Sequence, residues 1–85
     1  MADKKIKVLI LDDEKDICKF VKLLFRKKGF LVYSALTKGA AVRIAKKIKP
    51  DIALFDIYLK NGITGLDTLR QMRKVAPLCK CLMVT

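Results

Sequence analysis

The chain has 85 residues, of which 53% are apolar, and its 19 Lys and Arg against 8 Asp and Glu give a formal charge of +11. That length supports one small domain, residues 1–85, with a single core, and the apolar content excludes a disordered chain. No apolar run approaches the ~20 residues of a membrane span, and behind the basic MADKKIK the four-residue run VLIL, followed at once by DDE, is too short for the h-region of a secretory leader, so a cytoplasmic location is expected.

KVLIL (7–11) is a short apolar run of the length expected for a strand buried on both faces. After it, Ile17, Phe20, Val21 and Leu24 fall at i, i+3, i+4 and i+7, which predicts an amphipathic helix over 15–28 stopped by Gly29. FLVYSA (30–35) reads as a second strand. Thr37 is placed to cap a second helix whose apolar positions are Ala41, Ile44, Ala45 and Ile48, closed by Pro50. DIALF (51–55) is a third strand that runs into Asp56. YLKNGIT reads as a loop with turn residues Asn61 and Gly62, after which Leu66, Leu69, Met72 and Val75 line a third helix ended by Pro77. CLMV (81–84) is the fourth strand, followed by Thr85. The three cysteines Cys18, Cys79 and Cys81, with no His in the chain, match neither a disulfide framework nor a zinc site, and are expected to be reduced structural thiols.

The βαβαβαβ alternation implies an α/β fold with an open parallel sheet, and right-handed crossovers lead to the strand order 2-1-3-4. The order reverses between strands 1 and 3, where open α/β sheets place their ligand crevice. That crevice would collect Asp12 and Asp13 after strand 1, Asp56 after strand 3 and Thr85 after strand 4. Singly, these residues have plainer readings: DDEKD as a solvated helix N-terminus complementing the helix dipole, Asp56 as a strand-end cap, Thr85 as an ordinary strand residue. Glu14 and Asp16 fit the plain reading. Together, three carboxylates form an all-oxygen site suited to a hard divalent cation, and few protein ligands with several waters favour Mg²⁺ over Ca²⁺.

VLILDDEKDI, GFLVYSALTKGAAVRIAKKIKPDIALFDIYL, TGLDTLRQMR and CLMVT resemble the receiver domain of bacterial response regulators, matched in order from residue 6 to the end. The resemblance implies a flavodoxin-like receiver topology and a domain of a two-component signalling system. In it Asp56 would be the phosphoacceptor, Asp13 and Asp56 direct Mg²⁺ ligands, the main-chain carbonyl of Tyr58 a third ligand, Asp12 a ligand through water, and Thr85 the hydroxyl that bonds a phosphoryl oxygen on activation. Such a domain is not an enzyme beyond its own phosphorylation and dephosphorylation. The family continues through a fourth helix, a fifth strand carrying a phosphoryl-pairing Lys, and a fifth helix, and no lysine here takes that place. Lys60 lies in the loop after strand 3, where the family often has Pro. That loop is one residue longer than the commonest spacing.

The partners expected on this reading are a sensor histidine kinase or phosphotransfer protein, and an output domain or an acidic protein. Two other readings compete: a degenerate or truncated receiver acting by protein association alone, and a basic nucleic-acid-binding domain. Runs such as RKK on a helix are usually solvated faces. The chain has no helix-turn-helix, aromatic platform or glycine-rich phosphate loop, so no specific nucleic-acid contact is expected. The order 2-1-3-4 leaves strands 3 and 4 bare on the side of the first helix, which predicts self-association through that face or the open strand edge.

Overall fold

The computed structural model describes residues 5–56 and 65–84. Its strands β1 (Lys7–Leu11), β2 (Leu31–Ala35), β3 (Ile52–Asp56) and β4 (Lys80–Val84) alternate with helices α1 (Lys15–Lys27), α2 (Lys38–Ile48) and α3 (Gly65–Val75). The sheet has the order β2-β1-β3-β4 and every pairing is parallel, as expected from crossover handedness.

β1 occupies the centre because both of its faces are apolar. Leu9 and Leu11 pack with Ala41 and Ala45 of α2, Met72 of α3 and Phe55 of β3 on one side. Val8 and Ile10 pack with Cys18 of α1 and Val32 of β2 on the other. Period-two alternation along a buried strand thus produces two cores, one beneath α2 and α3 and one beneath α1. Phe55 is the largest fully buried side chain; complete burial of a side chain of this size contributes about 1.5–3 kcal/mol.

Local chemistry sets the ends of the helices. Thr37 accepts a hydrogen bond from the Ala40 N–H at 3.2 Å through its hydroxyl, the N-cap that its position suggested. Gly29 terminates α1 at φ +91°, a conformation that costs little only without a Cβ. α2 ends at Lys49 instead, in the left-handed region at φ 51°, its N–H returning to the Ala45 carbonyl. The Lys49 ammonium donates to the Val75 carbonyl and ties the ends of α2 and α3 together. Lys7 donates through Nζ to the Ile48 carbonyl at 2.6 Å and through its main-chain N–H to Asp51 at 2.8 Å. These bonds stitch the amino-terminal end of the sheet to the end of α2.

Two helix faces differ from those the apolar spacing predicts. α1 rests on the sheet through Cys18, Val21 and Phe25, whereas Ile17, Phe20 and Leu24 are exposed. The apolar band of α1 is wider than the sheet can cover, and the small Cys18 fits closest to β1. In α3 the buried side chains are Met72 and Thr68, while Leu66 is exposed. Strand limits shift by a residue or so: Phe30 and Asp51 stay outside the strands, and Asp56 and Lys80 lie inside.

Candidate functional site

The acidic cluster follows from the register. β1 and β3 pair as Val8↔Ile52 through Leu11↔Phe55, so one step further along the strands Asp12 and Asp56 stand level. Asp13 follows in the turn into α1. One carboxylate oxygen from each of Asp12, Asp13 and Asp56 lies within 4.8 Å of the others, and all three residues are half-buried. A strand pairing between residues 44 apart thus assembles a site that no local segment contains.

The turn that carries the acidic pair is held from three directions. The Asp12 N–H donates to the Ala35 carbonyl at 3.2 Å, extending the link to β2 past the strand end. An Asp12 carboxylate oxygen accepts from the Glu14 N–H at 2.9 Å, a local turn of the kind Asp favours. The Cys18 thiol donates to the Asp12 carbonyl at 3.3 Å from the first turn of α1. Burial, then the negative charge of Asp12, pushes this thiol above its ordinary range, so it remains a protonated donor. Sequence reading placed Cys18 only as a structural thiol. Its bond to a carbonyl six residues away left no signal in the sequence.

Asp12, Asp13 and Asp56 therefore converge as expected. Glu14 and Asp16 are exposed at the start of α1 and stand outside the cluster. Tyr58 and Thr85, the remaining expected site residues, lie outside the described residues, as does Lys60. The strand register puts Val84 level with Asp56, which brings the chain at the end of β4 to the same edge of the sheet.

The donor set fits a hard cation. It is all oxygen, multiply anionic and partly open to water, as a divalent ion such as Mg²⁺ requires when it retains several waters. A cleft of about 400 Å³ lined by Leu69, Arg73, Pro77, Cys79 and Cys81 lies at the opposite, amino-terminal end of β4 and has no part in this site. Cys18, Cys79 and Cys81 are all free thiols.

Comparison with known proteins agrees with this architecture. The family model described as the response regulator receiver domain matches residues 8–85. The chain belongs to that family. A curated relative from Pseudomonas aeruginosa, carrying the name of a transcriptional regulator, is 36% identical over 80 residues, covering 93% of this chain and 38% of its own length. A CheY-like receiver domain from Methanospirillum hungatei superposes with a TM-score of 0.89 at 30% identity, over 96% of this chain and 65% of that one. The chemotaxis protein CheY4 of Vibrio cholerae shares the fold with a TM-score of 0.86 at 24% identity, over 94% of this chain and 68% of its own. The chain therefore spans well under half of its curated relative and about two thirds of these solved receivers. It is a receiver domain of the two-component signalling class, and among the described residues no helix is long and apolar enough to cross a membrane.

Proposed function

We propose that this receiver accepts a phosphoryl group on Asp56 from a sensor histidine kinase or phosphotransfer protein, and that Asp12, Asp13 and Asp56 hold the Mg²⁺ this transfer requires. The observation that carries the proposal is the convergence of the three carboxylates at the strand ends. In the transfer, an Asp56 carboxylate oxygen forms a bond to phosphorus as the bond from phosphorus to the donor breaks, and the donor leaves with that electron pair. The product is an acyl phosphate on Asp56. Such transfer is mainly a matter of alignment and charge neutralisation. A bound divalent cation supplies part of that neutralisation. Asp12 is held by the Glu14 N–H and the Cys18 thiol fixes its carbonyl, so the turn presents its carboxylates in one orientation. By resemblance, Thr85 would bond a phosphoryl oxygen and the Tyr58 carbonyl would complete the ligand set.

The intact signalling protein would then couple Asp56 to a partner or output domain. The relation to a transcriptional regulator supports an output directed at transcription. The domain, residues 1–85, would act in the cytoplasm, where its kinase partner has access. The test uses acetyl phosphate with Mg²⁺ and an intact-mass readout. A chain extended past Thr85 to the length of its relatives gains one phosphoryl group, and Asp56→Ala abolishes the gain. The 85-residue chain gains much less, because it has no lysine at the phosphoryl-pairing place in the family. Full labelling of the Asp56→Ala variant would overturn the assignment.

A further inference from the structure

The outward face of α1 is unusually apolar for a surface, and its pattern is symmetric. Asp16, Phe20, Leu23 and Lys27 are spaced by four, three and four residues, the seam spacing of a two-helix coil. This seam lies on the side of α1 opposite Cys18, Val21 and Phe25, which face the sheet. Phe20 is 64% exposed and Leu23 is 55% exposed, while Ile17 and Leu24 extend the apolar surface along one flank. Asp16 and Lys27, both exposed, close the two ends of the seam with opposite charges.

We propose that α1 is a self-recognition surface and that its occupant is the α1 of a second copy of this chain, packed antiparallel about a two-fold axis between Phe20 and Leu23. In that arrangement Phe20 of each copy meets Leu23 of the other, and Asp16 of each meets Lys27 of the other, so both ends of the seam pair opposite charges. A parallel arrangement would place Asp16 against Asp16 and Lys27 against Lys27. The charge pattern thus selects a copy of the helix in one direction only. A two-fold contact of this kind is self-complementary and closes at the dimer.

The same face limits the strength of the contact. α1 spans 13 residues, about 20 Å, and one helix pairing falls well short of the ~800 Å² per partner of a stable interface. Lys19 and Arg26 on the second flank meet their counterparts, and each copy carries +11. The dimer is therefore weak, concentration-dependent and strengthened by salt, which screens the flank and the net charge while the apolar seam persists.

The test is sedimentation of the reduced 85-residue chain over a concentration series at two salt levels. Self-association that strengthens with salt is expected. Asp16→Lys and Lys27→Asp should each weaken it at least tenfold, because each places like charges at both ends of the seam. Mixing these two variants should restore dimers, since one then carries two lysines and the other two aspartates at the facing positions. The mixture also controls for folding: each variant must remain folded to rescue the other, and circular dichroism checks that it does. A chain that stays monomeric at every concentration, single variants that associate like the parent, or a mixture that fails to dimerise would each overturn the proposal.

Discussion

The convergence of Asp13 with Asp12 and with Asp56, which is remote in sequence, is the clearest mark of a cation site. Three carboxylates with oxygens within 4.8 Å of one another repel when ionised, and a cation that binds only the folded chain relieves that repulsion. Mg²⁺ at roughly tenfold excess over its dissociation constant should stabilise the fold by about 1.4 kcal/mol. A thermal melt at low ionic strength would register the shift, Asp13→Asn should erase it, and a melt indifferent to millimolar Mg²⁺ would count against the site. Cys79 offers a second check. Burial first, and then the adjacent Cys81 thiol, push it from 9.0 up to about 12. In this range the unfolded chain releases the thiol proton before the folded chain does, so stability falls as pH rises from 9.0 towards about 12. Denaturant midpoints should therefore drop less with alkaline pH in Cys79→Ser than in the parent, and equal slopes would refute the shift. Thr68 is fully buried and, among the described residues, its hydroxyl has no hydrogen-bond partner. Thr68→Val should gain about 1 kcal/mol in denaturant unfolding.

The identity of the elements was legible wherever one residue type had a single physical use. Gly29 and Thr37 marked a helix stop and a helix cap, and both act as such. Thr37→Ala should cost about 1 kcal/mol in stability, measurable as a lower denaturant midpoint, while Gly29→Ala should also destabilise because its positive φ strains any Cβ. Helix faces were less legible. In α1, apolar residues occupy more than half of the circumference, so spacing alone matched Ile17, Phe20 and Leu24 as well as the face that is buried. The choice fell to the sheet, whose centre accepts the small Cys18 and tilts Val21 and Phe25 towards Val32 and Phe30. The acidic site was readable for a different reason. Asp56 ends β3 and the pair Asp12 and Asp13 follows the end of β1, and parallel register aligns strand ends whatever the loops between them do. The Cys18 bond to Asp12 depends on the exact angle at which α1 leaves β1, which no local pattern encodes.

At the scale of the molecule, α1 covers β1 and β2, while α2 and α3 cover the other face. On the α1 side, Ile52 and Leu54 of β3 are half-buried and Leu82, paired in register with Leu54, is 55% exposed. Alternation sends residues 80 and 82 of β4 to this side, so among the described residues the apolar surface runs to the edge of the sheet. Solvated apolar surface beside an unpaired strand invites association. This surface is separate from the outward seam of α1, and the two should respond to different changes. The 85-residue chain should bind a hydrophobic dye such as anilinonaphthalene sulfonate. Leu82→Lys should reduce that binding severalfold at little cost to the fold, because the side chain leaves no buried contact behind. Asp16→Lys should leave dye binding at β4 intact while weakening the helix pairing. A chain extended past Thr85 to the length of its relatives should lose the dye signal if the added residues cover β3 and β4. Dye binding that persists unchanged in Leu82→Lys would show that the dye reports an apolar surface other than β4, and loss of helix pairing in that same variant would show that the β4 edge takes part in self-association.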